Sequence, residues 1–403
     1  MRILQLNTVC GAKSTGRIAW EIAKLVEKDG GECYIACGAG YVPEDAKAFA
    51  YHTIKPIKRK AYSLIRKLFD AEGYFNISGT KELIRQIEIF EPDVIHIHNL
   101  HGCYLHLKTL FGYLAKKDIP VVWTLHDCWP FTGHCAYFDY SGCEKWKTGC
   151  HDCPQLKSYP ECVGVDGSRR NYQLKKELFL GLKNLTMVAP CQWMKEPLSQ
   201  SFLKNVPVRV IYNGVDLNGF TPTPGDLRQR YGLENSKVAV AVASDWDERK
   251  GLRFLLEAAQ KLGDEYRFVV IGLSHEQVEK LPGGMIGIEH TANVEELAQW
   301  YTTADCLVNP SLEDNMPMVN LEALACGTPI AMFRTGGCPE AVDERTGAVV
   351  EKGDVDGLCR AIRSLCPKTD ATKQACLARA RSFDAKLTFE QYLALYKELC
   401  TEP

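Results

Sequence analysis

The sequence predicts an α/β protein made of two doubly wound, Rossmann-like domains facing a cleft, and three observations carry that expectation. The chain has 403 residues, more than one typical hydrophobic core organises. Apolar strand-like runs alternate with amphipathic helical ones through the N-terminal half, which is the pattern of a mostly parallel sheet covered by helices. From about residue 214 the alternation begins again.

In chain order the first series reads RILQLNT (strand), GRIAWEIAKLVEK (helix), CYIACG (strand), KELIRQIEIF (helix), DVIHIH (strand), LHLKTLFGYLAKK (helix), VVWTLH, LTMVAP and VRVIY (strands). The second reads VAVAVAS, LRFLLEAAQKL, YRFVVIG, VEELAQWYTTA, DCLVNP, LEALA and PIAMF. The expected domains are 1–205, carrying a cysteine-rich insert at 128–162, and 206–383, joined near residues 200 to 215. A last helical pattern, LTFEQYLALYKELC within 384–403, stands beyond the second core. No internal repeat and no low-complexity linker separates the halves, so a close-packed pair is expected, with ligands in the cleft.

With 46% hydrophobic and 24% charged residues, the chain has enough apolar side chains for substantial cores. A net charge of −2 gives no reason to expect nucleic-acid binding. The opening MRILQLNTVC lacks the charged head and cleavage site of a signal peptide, and no run approaches the roughly 20 apolar residues of a membrane span. A cytoplasmic protein is expected. Eighteen cysteines raise the question of oxidation, but Cys33, Cys37, Cys306, Cys326, Cys359 and Cys376 lie singly in strand and helix patterns, as buried thiols do.

The most informative stretch is PSLEDNMPMVNLEALACGTPIAMF, residues 310–333. A polar loop leaves an apolar strand, Pro317 suits the first helical position, and VNLEALA carries a helix to Gly327, where Thr328-Pro329 blocks continuation. The unpaired amides of the first turn and the helix dipole favour a phosphate there. Glu322 lies about one and a half turns inside, within reach of sugar hydroxyls. Read alone, the string is also compatible with an acidic loop before an ordinary helix. As a whole it resembles the motif of retaining GT-B glycosyltransferases, above all glycosyltransferase family 4, in which two Glu residues at this spacing precede a CGTP-type turn. The resemblance implies a GT-B fold with its terminal helix packing back on the first domain. It also implies that Glu322 holds the nucleotide ribose, and that Asp314 stands where the first Glu contacts the donor sugar. Asp for Glu shortens that arm.

The loop DWDERKG follows VAVAVAS, and a Lys at a strand-to-helix turn neutralises a diphosphate while the next Gly admits the backbone. Arg249-Lys250 also reads as a plain solvated pair. In the resembling family a KG here binds the donor phosphates, which selects Lys250. The Arg that many members carry five positions earlier is Asp245 in this chain, with Arg249 as the substitute cation. In VCGAKSTGR, Gly11 and Gly16 permit a tight loop near donor or acceptor. The turn TGGCPE, with Gly336 and Gly337, resembles the family's GG-x-PE element, though a plain turn gives the same string. Asn213, Asn315, Met316, Pro317 and Met318 join these as donor-binding candidates. His126 ends VVWTLH and faces the ligand crevice expected of such a sheet. Its HD-x-W context resembles the segment that contacts the donor sugar in these transferases, so Lys250, Asp314 and His126 are the catalytic candidates. His98 is assigned to the acceptor side and His96 to structure.

Between 128 and 162 the alternation breaks. Cys135, Cys143, Cys150 and Cys153 offer four soft ligands in a segment without a long apolar run, the requirement of a structural tetrahedral zinc. Disulfides and free thiols are the alternatives. KPIKRKAYSLIRKLF, residues 55–69, reads either as a cationic amphipathic helix lying on anionic lipid or as a surface helix packing its apolar side inward.

These readings converge on a retaining glycosyltransferase moving a sugar from a UDP- or GDP-linked donor to a hydroxyl of a glycan or lipid-linked acceptor in cell-surface polysaccharide synthesis. It is expected to be cytoplasmic or peripheral on the inner face of the membrane, to use no catalytic metal and to bind no nucleic acid. The alternatives are an epimerase or hydrolase on the same plan, and a non-catalytic nucleotide-sugar-binding regulator.

Overall fold

Thirteen strands form two parallel sheets in the structure, a computed structural model that describes residues 1–401. The first sheet contains β1 (Arg2–Asn7), β2 (Glu32–Cys37), β3 (Ala50–His52), β4 (Val94–Ile97), β5 (Val121–Thr124), β6 (Leu185–Ala189) and β7 (Val208–Val210), in the order β3-β2-β1-β4-β5-β6-β7. The second contains β8 (Lys237–Val242), β9 (Tyr266–Ile271), β10 (Met285–Ile288), β11 (Cys306–Asn309), β12 (Ile330–Phe333) and β13 (Gly347–Val350), in the order β10-β9-β8-β11-β12-β13. Because helices cover both faces, the central strands are apolar throughout rather than alternating, and every residue of β4, β5, β11 and β12 is buried. In each sheet the order reverses once, between β1 and β4 and between β8 and β11. The crossovers leave in opposite directions there, opening a crevice at the strands' C-terminal ends.

The chain divides into Met1–Tyr212 with the segment from Phe389 onward, and Asn213–Thr388. The first division falls later than residue 205 because β7 pairs in parallel with β6, Met187 opposite Val208, and so belongs to the first sheet. The terminal helix Ala385–Thr401 belongs to the first unit from Phe389, where Tyr392 hydroxyl meets Thr124 Oγ1 at 3.1 Å and Tyr396 hydroxyl meets His96 Nδ1 at 2.6 Å. The core of the second unit gathers Ala239, Phe268, Val308, Phe333, Leu358 and Ile362.

The insert contains two single-turn helices, Trp129–Phe131 and Lys145–Lys147. It has an aromatic core of its own: Trp146 lies 4.5 Å from Phe138 and 5.5 Å from Phe131 between ring centroids. Lys175 reaches in from the helix Ser168–Leu180 and donates to the carbonyls of Trp129 and Thr132. Burial lowers its ammonium pKa to about 7.

Candidate active site

In the second unit, the turns after β8, β11 and β12 close on one another at the point where the strand order reverses. After β8 a single turn of helix, Glu248–Lys250, is capped by Asp247, whose carboxylate accepts from Lys250 N at 3.1 Å. Gly251 follows with φ +76°, and a Cβ there would lie 2.2 Å from the Pro310 carbonyl oxygen. Only glycine lets this turn seat against the loop leaving β11. Leu312 N donates to the Arg249 carbonyl at 2.7 Å, and Arg249 Nη1 donates to the Glu313 carbonyl at 2.9 Å. These contacts place Lys250 Nζ 2.5 Å from Asp314 Oδ2, with the two side chains 17% and 13% exposed. From the third turn, Gly336 at φ +50° approaches so closely that a Cβ would sit 1.8 Å from the Asp314 carbonyl oxygen. Thr335 Oγ1 ties the same turn to the Ser311 carbonyl at 2.7 Å, and Gly337 leads into the short turn Cys338–Ala341.

The helix Met318–Ala325 begins one residue later than the sequence reading placed it. Pro317 is extended, φ −68° and ψ 130°, and stands just outside as the capping residue. The helix stops at Cys326, and Gly327 follows at φ +78°. Met316 and Asn315 are buried beneath the entry, and Asn213 Nδ2 holds the Met316 carbonyl at 2.9 Å. Within the helix Asn320 accepts from Asn309 of β11 at 2.9 Å. Glu322 is buried, and its Oε2 accepts from the Tyr301 hydroxyl at 2.9 Å. Tyr301, on the helix Val294–Thr303, was not foreseen from the sequence, where only an amphipathic aromatic pattern marks it. Lys250, Asp314, Asn315, Met316, Pro317, Met318, Gly336 and Asn213 are thus gathered in one unit. Arg249 is engaged with the backbone of the loop that carries Asp314, while Asp245 is exposed.

In the first unit the reversal point lies between β1 and β4. Gly11 takes φ +66° and donates from its N–H to the Gly16 carbonyl at 3.1 Å. Gly16 stands inside the helix Lys13–Lys28 rather than in the loop, and a Cβ there would press on Val9 at 3.0 Å. It therefore shapes the loop from the helix side. A chain of polar groups runs out of the core from Gln5, whose amide donates to the Ala19 carbonyl at 2.8 Å and whose Oε1 faces His98 Nε2 at 2.8 Å. His98 thus carries its proton on Nε2 and accepts at Nδ1 from His126 Nε2 at 2.9 Å. In that tautomer His126 carries its proton on Nε2. Burial pushes His98 well below the usual imidazole range and His126 to about 4, so both rings are neutral near pH 7. His98 does not line a site. It is buried behind His126 and sets that ring's tautomer. His96 uses both nitrogens internally, on Thr124 and Tyr396, as a structural residue. A cavity of about 570 Å³ lined by His52, Lys55, Lys58, Asn76 and Glu82 lies beside the edge strand β3, apart from this reversal point.

None of the eighteen cysteines forms a disulfide. Cys135 and Cys153 share a thiol hydrogen bond that lowers Cys153 to about 7, and Cys150 Sγ accepts from Gly133 N at 3.1 Å. Among the described residues no group of three or more His, Cys, Asp or Glu side chains is arranged to hold a metal ion. The four thiols expected to bind zinc are neighbours, and the aromatic trio around Trp146 packs in the same insert.

Two family models match the chain: one described as Glycosyltransferase Family 4 over residues 15–218, the other as Glycosyl transferases group 1 over residues 236–367. A putative colanic acid biosynthesis glycosyl transferase, WcaC of Escherichia coli (strain K12), is 26% identical over 371 residues, covering 88% of each chain. The D-inositol 3-phosphate glycosyltransferase of Mycobacterium sp. (strain KMS) is 32% identical over 206 residues, 47% of this chain and 46% of that one. Among solved structures, sucrose-phosphate synthase from Thermosynechococcus elongatus superposes with a TM-score of 0.69 at 16% identity, covering 99% of this chain and 98% of that one. Anabaena Alr3699/HepE in complex with UDP-glucose gives 0.69 at 17%, covering 99% and 100%.

Proposed function

This chain belongs to glycosyltransferase family 4, and we propose that it transfers a sugar from a UDP-linked donor, or a GDP-linked one, to a hydroxyl acceptor with retention at the anomeric carbon. The observation that carries the proposal is the Lys250–Asp314 pair, set by two glycine contacts beside the first turn of the helix Met318–Ala325. A lysine and a row of helix amides at one point suit the charge that grows on a departing diphosphate, and this stabilisation is the main catalytic term. Asp314 aims the Lys250 ammonium before the donor arrives and orients the sugar once the diphosphate draws the lysine over. Glu322, steadied by Tyr301, accepts from the ribose hydroxyls. Arg249 acts mainly by fixing the Asp314 loop. His126 keeps the sugar-orienting role that its HD-x-W context implies, as a neutral imidazole whose tautomer His98 sets. The departing phosphate takes the acceptor's proton, so no protein base is assigned.

The similarity to WcaC over 88% of each chain supports a role in polysaccharide synthesis; the acceptor in this reading is a glycan or a lipid-linked oligosaccharide of the cell surface, and we place the enzyme in the cytoplasm. A structural zinc on Cys135, Cys143, Cys150 and Cys153 belongs to the same proposal, supported by the proximity of the thiols. A thermal-shift screen of nucleotide sugars tests the donor, because a ligand that binds only the folded chain raises its stability. One nucleotide-sugar class should stabilise the protein, and a chain that responds to none has no donor site of this kind.

A further inference from the structure

The helix Pro56–Phe69 is built inside out. Ile57, Ala61, Leu64, Ile65 and Leu68 fall on one face at helical spacing, and that face points to solvent. Ile57 is 84% exposed and Leu64 65%. The residues turned inward are polar or amphipathic. Arg66 is the buried one, 3.5 Å from Glu72 and donating to the Glu161 carbonyl at 3.0 Å, while Tyr62 stacks on Phe75 with ring centroids 5.1 Å apart. A helix packed inward on its apolar side, the ordinary reading of such a pattern, shows the opposite arrangement.

A second segment extends the surface. Val163 N donates to the Lys67 carbonyl and Val165 N to the Leu68 carbonyl, each at 2.8 Å, so the loop from the cysteine-rich insert runs along the helix's last turn. Gly164 permits this, since a Cβ there would lie 2.0 Å from the Leu68 carbonyl oxygen. The side chains of Val163 and Val165 project into solvent, 60% and 63% exposed, continuing the apolar face past Leu68 and Phe69. Lys55, Lys58 and Lys60 are exposed along the same helix, a local cationic border on a chain whose net charge is −2.

We propose that the helix Pro56–Phe69 and the loop 163–165 form one surface that docks on an anionic lipid bilayer. The apolar residues enter the acyl boundary, and the lysines pair with lipid phosphates. Arg66 anchors the helix to Glu72 and Glu161, so the apolar face is presented without being packed away. No helix among the described residues is long and apolar enough to cross a membrane. The surface belongs to the first unit and the donor residues to the second, and its test needs no sugar.

The test is co-sedimentation of the full chain with phosphatidylcholine vesicles, with and without phosphatidylglycerol, at low and high ionic strength. Binding should need the anionic lipid and weaken with salt. Lys58→Ala and Lys60→Ala should each lower the affinity roughly fivefold. Leu64→Glu and Val163→Glu should abolish binding with an unchanged urea unfolding midpoint. Ile89→Glu, exposed on the helix Ile77–Phe90, should bind as the parent does. Equal binding to neutral vesicles, no binding to anionic ones, or an equal loss in Ile89→Glu overturns the proposal. A dimer that Leu64→Glu dissociates, without vesicle binding, assigns the face to a second copy instead.

Discussion

Replacing Glu322 by glutamine removes one negative charge from a buried position while keeping its shape. Glu322 Oε2 already accepts from the Tyr301 hydroxyl at 2.9 Å, so the ribose needs the carboxylate's remaining acceptor capacity. A glutamine has one acceptor oxygen where the carboxylate has two, so it serves Tyr301 or the ribose with full strength but not both. Hydrogen bonds to a charged group contribute about 1.5–3 kcal/mol each, so losing one predicts a Kd for the donor higher by about 10- to 150-fold. Folding should change by about 1 kcal/mol or less, because the tyrosine keeps a partner. Isothermal titration with the stabilising nucleotide sugar reads the affinity, and urea unfolding reads the fold. Tyr301→Phe is the counterpart, expected to cost about 1 kcal/mol of stability and to change donor affinity less than Glu322→Gln does. If Glu322→Gln binds donor within twofold of the parent, the ribose assignment is wrong.

Lys250→Met should lower kcat by about 10²–10³-fold in a transfer assay, with a smaller effect on KM. Its stability cost, from leaving Asp314 unpaired, should be only about 1–2 kcal/mol because both side chains keep some solvent access; an unchanged kcat removes Lys250 from the chemistry. The buried imidazoles give a pH signature. His96, His98 and His126 bind protons less readily folded than unfolded, so their contribution is intact above the ordinary imidazole range and is lost as pH falls from about 6.5 toward 4. The urea midpoint should fall between pH 7.5 and 5, and a midpoint that rises contradicts the assignment. Elemental analysis of purified protein should find about one zinc per chain if the four cysteines act together; a metal-free, fully active sample rules the zinc out.

Much of the fold was legible because parallel strands announce themselves. VVWTLH and DCLVNP are short apolar runs between helical patterns, and both became fully buried strands. The site was legible where backbone chemistry requires particular residues. Gly251 and Gly336 sit where a Cβ would strike a carbonyl, and Pro317 marks the helix entry to within one residue. What the sequence hid were partners brought from far along the chain. Nothing near Glu322 announces Tyr301, and nothing near His126 announces that Gln5, through His98, fixes its tautomer. Periodicity also has no sign. The stripe from Ile57 to Leu68 is the same string whether it faces a core or solvent, and only the position of Arg66 distinguishes the two. In the insert, the cysteine spacing carries no sign of the aromatic cluster that Phe131, Phe138 and Trp146 form beside the thiols.

A crystal structure of the full chain soaked with a stabilising UDP-sugar is the most direct test of where the diphosphate is held. Lys250 Nζ should turn from Asp314 to a phosphate oxygen, with the amides after Pro317 facing the diphosphate and Glu322 on the ribose. A donor bound elsewhere, with Lys250 still paired to Asp314 and no phosphate beside it, would contradict the proposed chemistry.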